Sequence, residues 1–261
     1  GRVNWARAGA EPEKIYADLG QYEIKMRFSK FTADSVNFWH KKFFPSSIMG
    51  RYMDNIIADV TEERISYPRF YSYDKQIGIP RLFNNIDYLG GFAVEGNRII
   101  GSGGQTTDAR LFFKKDGKDF VVARSKTFVI HPDRINAGMA SITIFYENDS
   151  IFHSGLQLKY IDDKKELSFN KDERVTSISP WFDSYHNIEI YCEALYWNVG
   201  APIVRFQMMK GPTKESKAVF ESSSYYSLHR YDKLKGIDEI NPLNLIKNYI
   251  TKNNTRDISL E

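Results

Sequence analysis

A single cysteine, Cys192, stands among 261 residues. An internal disulfide is therefore excluded, and no C-x-x-C or Cys/His zinc spacing exists. Charge of one sign is equally scarce. With 36 basic and 33 acidic side chains the net charge is +3, too weak a bias to mark a nucleic-acid surface, so no nucleic-acid partner is expected. No apolar run approaches the ~20 residues that a bilayer-spanning helix needs, and no transmembrane segment is expected. His131, His153 and His186 never fall in H-x-H or H-x-x-x-H spacing, and only the fold could gather them around a metal. No serine sits in G-x-S-x-G. The glycine-rich Gly101-Ser102-Gly103-Gly104 lacks the lysine and the following helix of a phosphate loop. No catalytic residue, metal or cofactor is assigned on these grounds.

What the sequence holds instead is aromatic and β-branched residues in short runs, each closed by a turn signal. Aromatics make up 15% of the chain, enough to build a core in one large β domain. The stretch from Gly90 to Tyr160 is the clearest. Phe92 and Val94 lead to Gly96-Asn97, a pair that tolerates positive φ. Leu111-Phe112-Phe113 and Phe120-Val121-Val122 flank Asp116-Gly117, a strong hairpin signal. Ile142, Ile144 and Tyr146 alternate up to the turn cluster Glu147 to Ser150. Leu156, Leu158 and Tyr160 alternate on the return, and Asp162 to Lys165 turns the chain again.

Outside that stretch the pattern predicts a short helix over Pro12 to Leu19, with Pro in its first turn and Gly20 beyond its end. Tyr22, Ile24, Met26 and Phe28 predict a half-buried strand. Ala33 to Phe43 reads as extended or as a short helix. Pro68 predicts an edge strand near Tyr73. Ile188 to Val199 predicts one strand, with Cys192 a small buried hydrophobe inside it. Gly211-Pro212 predicts a turn, and Ala218 to Tyr226 a further strand. Near the C-terminus Asn241 is placed to cap a helix with Pro242 at its first position. The expected fold is mainly β: an antiparallel sandwich, jelly-roll-like, or stacked β-rungs, with short helices near the termini. Residues 1–20 are read as helix and lead-in, 21–232 as the β-rich domain with a possible division near 84–90, and 233–261 as C-terminal helix and polar tail.

Two groups of residues invite a functional reading. Trp181, Tyr185, Tyr191 and Trp197 belong to an aromatic cluster with nearby Asp183, Asn187 and Asn198. Such rings suit sugar stacking or a protein interface, and equally suit a sandwich core. Glu189 and Glu193, four apart on the expected strand, would share a face at roughly 13 Å. A retaining glycosidase needs its carboxyls about 5–5.5 Å apart, so on a straight strand the two form no catalytic pair.

The run Glu189-Ile190-Tyr191-Cys192-Glu193 resembles the E-x-D-x-E strand of jelly-roll β-glucanases, with Tyr191 where that family has Asp. The resemblance implies nucleophile and acid at the outer glutamates. More broadly, Tyr88-Leu89-Gly90-Gly91-Phe92, the run from Asp149 to Gln157, and Phe220-Glu221-Ser222 resemble phrases of large β-rich proteins of Gram-negative envelopes. No activity comes with that likeness. It implies one module of a larger periplasmic, surface or secreted protein, whose partners are other domains of its chain or envelope proteins. The opening Gly1-Arg2 and the polar close from Thr251 to Glu261 lead to the same expectation of a module cut from a longer chain. The reading is thus a non-catalytic structural or protein-interaction module, with a carbohydrate-binding module as the alternative.

Overall fold

The computed structural model describes residues 1–22, 24, 27–55, 66–171, 179–208, 218–224, 228–235 and 241–253. Met26 of the strand expected over Tyr22 to Phe28, the Gly211-Pro212 turn, Tyr226 and the tail beyond Asn253 lie outside the described residues. The chain forms two compact units, Gly1–Phe220 and Glu221–Glu261.

The first unit is a mainly antiparallel β structure, as the alternation predicts. It opens with β1 (Arg2–Asn4), β2 (Ile15–Asp18), β3 (Lys30–His40), β4 (Ile48–Asn55) and β5 (Arg69–Ser72). Next come β6 (Ile77–Phe83), β7 (Ile86–Glu95), β8 (Arg98–Ser102), β9 (Ala109–Lys115), β10 (Lys118–Ser125) and β11 (Thr127–Ile130). The longest strands are β12 (Arg134–Tyr146) and β13 (Asp149–Ile161). After them come β14 (Glu166–Asn170), β15 (Trp181–Asp183), β16 (Ile188–Tyr191), β17 (Ala194–Asn198) and β18 (Val204–Gln207).

These strands form two ladders that have three strands in common. One runs β1-β2-β3-β4-β5-β7-β8-β11-β12-β13-β14-β17-β18. The other runs β6-β7-β9-β10-β12-β13-β15-β16. Strands β7, β12 and β13 change partners along their length. In β7, Ile86 to Leu89 pairs with β9 and Ala93 to Glu95 with β5, and Gly90-Gly91 lies between. In β12, Ile135-Asn136 pairs with β11 and Ser141 to Ile144 with β10; the register slips on both sides of Ala140. In β13, Ile151-Phe152 pairs with β15 and Gln157 to Ile161 with β14, with Gly155 between. Bends and bulges at small residues are how a strand passes from one sheet to another at a corner.

The turns follow the sequence signals. Lys115 pairs with Lys118, so Asp116 and Gly117 are the whole loop, and both have positive φ as a type I′ turn requires. Glu147-Asn148 forms an equally tight loop between Tyr146 and Asp149. In β3 the buried residues run Ala33, then Val36, Phe38 and His40. The phase break between Ala33 and Val36 is a register shift at Asp34-Ser35, with Ser35 at positive φ. The core is continuous and aromatic, with Trp5, Tyr52, Tyr88, Phe113, Tyr160, Trp181 and Trp197 among its largest members.

Several expectations are corrected. Pro12 to Leu19 is not a helix: Ile15–Asp18 is β2, hydrogen-bonded to β1 on one side and β3 on the other. An eight-residue helix is marginal in water, and two strand partners outweigh its propensity. A short 3₁₀ turn at Ala6–Ala8 is the helical element there. Tyr22, Ile24 and Phe28 are exposed and lie in no strand. Ala33 to Phe43 is strand as far as His40. The expected single strand from Ile188 to Val199 is two strands, β16 and β17, broken at Cys192-Glu193. Residues 84–90 fall at the β6–β7 hairpin, where Phe83 pairs with Ile86. Residues 1–20 pack within the first unit, through β1, β2 and Trp5.

In the second unit, helix α1 (Leu228–Lys233) precedes α2 (Pro242–Asn253). The cap read from the sequence is present: the Leu243 N–H donates to Asn241 Oδ1 at 2.9 Å. Strand β19 (Val219–Ser222) spans the point where the chain divides.

Candidate functional site

The N-terminal segment is drawn onto the sheet by one residue. Trp5 is fully buried, its Nε1 donates to the Pro68 carbonyl at 3.0 Å, and its ring meets Phe38 and Tyr52 edge-on at 5.1 and 5.7 Å. Arg7 adds an ion pair to Asp54, which also accepts from the Tyr52 hydroxyl. The chain from Ala8 to Ile15 lines a recess together with residues of several strands. This cavity of about 390 Å³ is built from five stretches of sequence: 8–15, 40–43, 82–83, 94–99 and 130–132.

The walls are mostly apolar. Leu82, Phe83, Val94 and Ile130 are buried, and Ile15, Phe43 and Ile99 are half-buried. Glu11, Lys14, His40 and Lys42 come from the stretches where β2 meets the end of β3, while Asn97 and His131 line the cavity from the β7–β8 turn and the end of β11. Ile15 is in register with His40, and the Lys41 N–H donates to the Lys14 carbonyl at 3.0 Å. That pairing brings Lys14, His40 and Lys42 to the same side of the cavity. Lys14 is ion-paired with Glu11. Lys42 is exposed, its ammonium 5.2 Å from the Phe43 ring centre, and it ion-pairs with no carboxylate among the described residues.

His40 is 7% exposed and stacked on Phe43, with ring centres 4.4 Å apart. Its Nδ1 is buried and has no hydrogen-bond partner among the described residues. Burial, helped by the nearby Lys42 charge, lowers its pKa to about 4, so the ring is neutral at pH 7. His131, at the opposite wall, is also shifted down, first by burial and then by Arg134. Both imidazoles thus sit where added positive charge is disfavoured.

The residues singled out in the sequence are dispersed. Trp181 and Trp197 are each 1% exposed. Trp181 packs on His153 and Phe169, and Trp197 packs on Phe120 and donates to the Ala201 carbonyl. Sugar stacking on these two rings is corrected by their burial. Tyr185 is exposed and lies edge-on to Tyr146. Tyr191 is half-buried and donates to Glu189 Oε2 at 2.7 Å. Glu189 is on β16 opposite Phe182, whereas Glu193 falls in the bend after that strand, its N–H donating to the Gln207 carbonyl. The two glutamates therefore share no strand. Cys192 is buried, and burial pushes its thiol up to about 11. His153 bridges the Ser179 carbonyl and the Gly155 N–H, and His186 lies against Asp183.

Sequence reasoning did not find His40, Lys42 or Phe43. The one available signal was that His40 continues the Val36, Phe38 alternation and so falls on a buried face. Spacing could not reveal walls contributed by distant strands. No protein-family model, curated protein or solved structure matches the chain.

Proposed function

We propose that the chain is a non-catalytic binding module of a larger extracytoplasmic protein, and that it holds an apolar guest in the cavity beneath its N-terminal segment. One observation carries this reading: an apolar recess of about 390 Å³, in the range of ~300–1,000 Å³ typical of ligand pockets. It is roughly two and a half times the ~150 Å³ apolar cavity that suffices to hold benzene. The charged side chains of its wall, Glu11, Lys14 and Lys42, come from the stretches joined by the β2–β3 pairing, which suits orienting a guest.

The test uses N-phenyl-1-naphthylamine, a neutral dye that brightens in apolar surroundings. One saturable site per chain is expected. Ile99→Trp, which fills the recess from its half-buried wall, should abolish the signal with the circular dichroism spectrum unchanged. No saturable brightening would refute the reading. The extracytoplasmic setting rests on the resemblance to envelope proteins. Recovery of the full reading frame tests it: a secretory signal and further β-rich segments are expected, and a complete cytosolic frame would overturn it.

A second reading, carbohydrate binding, moves to a different surface. Phe152 lies opposite Phe182 across β13 and β15. Tyr146 and Tyr185 make an edge-on pair nearby in sequence, and all four rings are 39–58% exposed. Exposed rings with Glu189 in register beside Phe182 suit stacking on the apolar face of a sugar. A glycan array in which Phe182→Ala removes the signal supports this reading, and an array without binders refutes it.

A further inference from the structure

Taking the cavity as a binding site, as proposed above, we infer that its guest is a small amphipathic monocarboxylate: an apolar body with a single anionic head. The apolar body matches Leu82, Phe83, Val94 and Ile130. The head belongs on the side built by the β2–β3 pairing. There Lys14 and Lys42 face one carboxylate, Glu11. Glu11 is held by Lys14; Lys42 makes no ion pair among the described residues, and the carboxylate that feels its charge, Asp162, lies outside the lining and is itself paired with Lys165. His40 adds a nine-tenths-buried imidazole with one ring nitrogen, Nδ1, that has no hydrogen-bond partner among the described residues. A buried polar atom without a partner is uncommon and calls for an explanation.

The sign of the guest follows from the field. Burial is the first cause that lowers both imidazoles; Lys42 adds to it at His40, and Arg134 and Arg98 add to it at His131, where Asp133 acts the other way. The net positive charge of the lining, two lysines against Glu11, disfavours a cation. The magnitude of charge follows from the donors. A phosphate dianion is commonly held by the fork of Arg side chains or by a nest of backbone N–H groups. Neither guanidinium lines this cavity; the cationic lining residues are the two lysines. The lining carries two lysines and one carboxylate, Glu11, and that surplus of one positive charge matches one negative charge.

Calorimetric titration of the whole chain with decanoate, decanol and decyltrimethylammonium, all kept below the concentration at which they aggregate, separates the possibilities. The expected order is decanoate tightest, decanol weaker by about tenfold, and the ammonium weakest, a tenfold step being ~1.4 kcal/mol. Lys42→Glu changes an exposed side chain, so the fold should persist. It should weaken decanoate about tenfold and leave decanol within twofold. Bound decanoate should also move the His40 Cε1–H titration, followed by NMR, to higher pH; decanol should not. If decanol binds as tightly as decanoate, or Lys42→Glu leaves decanoate unaffected, the carboxylate assignment is overturned and the cavity reading stands. If none of the three binds, or Ile99→Trp leaves decanoate binding intact, the cavity reading itself falls.

Discussion

Replacing His40 by Phe should remove a specific part of the acid sensitivity of this fold. In the unfolded chain the imidazole titrates near 6.5, whereas burial in the folded chain lowers its pKa to about 4. Above pH 6.5 the ring is neutral in both states and contributes no pH dependence. As pH falls below that value the unfolded chain takes up a proton that the folded chain refuses, and stability drops with pH. The drop continues until the folded imidazole itself titrates near pH 4. The full gap is worth ~3 kcal/mol at 1.36 kcal/mol per pH unit, and at pH 5 about 2 kcal/mol of it is already lost. Urea unfolding at pH 7.5 and pH 5 measures this for both proteins. The native chain should lose ~2 kcal/mol more than His40→Phe between the two conditions. Carboxylates and the other two depressed histidines, His131 and His153, affect both proteins alike and cancel in the difference. Phe is apolar and similar in shape, so its overall stability does not enter the comparison. Parallel losses in the two proteins would show that His40 is not a buried neutral imidazole, and would remove it from the polar side of the cavity.

Trp5→Ala should cost ~3–5 kcal/mol, the usual range for a large buried ring, and should release the segment over the cavity; thermal unfolding and dye binding read the two effects. Trp197→Ala should cost a similar ~3–5 kcal/mol, whereas Tyr185→Ala, on an exposed ring, should stay within ~0.5 kcal/mol; urea titration distinguishes them. Gly101→Val should be destabilising by ~1–3 kcal/mol or more, because any Cβ there falls 2.6–2.8 Å from the Tyr88 ring; a variant as stable as the native chain would refute that packing. Asn241→Ala should weaken the start of α2 by ~0.5–2 kcal/mol, seen as faster amide exchange at Leu243.

The sequence was most legible where one residue type has a backbone reason to be present. Asp116-Gly117 announced its hairpin because both positions need positive φ. Asn241-Pro242 announced its helix because one side chain caps and the next ring presets φ. The alternation named a buried face at Leu156, Leu158 and Tyr160 of β13 and at Ile142 and Ile144 of β12, but Tyr146, next to the turn, is exposed. Legibility failed where partners far along the chain decide the outcome. Ile15–Asp18 is a strand because β1 and β3 lie on either side of it, and a local window over Pro12 to Leu19 sees only helix signals. The break at Cys192-Glu193 carries no Gly or Pro, so a strand ending there looks like one continuing. Trp181 and Trp197 stand among exposed Phe182 and Tyr185, and composition cannot divide a core ring from a surface ring. The candidate site was the least legible. Its walls come from five stretches, and only the β2–β3 register brings Lys14 and Lys42 to one side.

The three strands that belong to both ladders leave neither ladder complete without the other. Opening the β10–β12 pairing strips Ser141 to Ile144 of one neighbour, and the same strand supports β11 through Ile135 and Asn136. Disruption on one sheet is therefore handed to the next through a continuous backbone rather than through side-chain contacts alone. Units of this kind should open together rather than sheet by sheet. For a binding module this has a practical meaning: a guest seated against β6, β7, β8 and β11 touches strands from both ladders, so its binding energy should protect slowly exchanging amides as far away as β12 and β13.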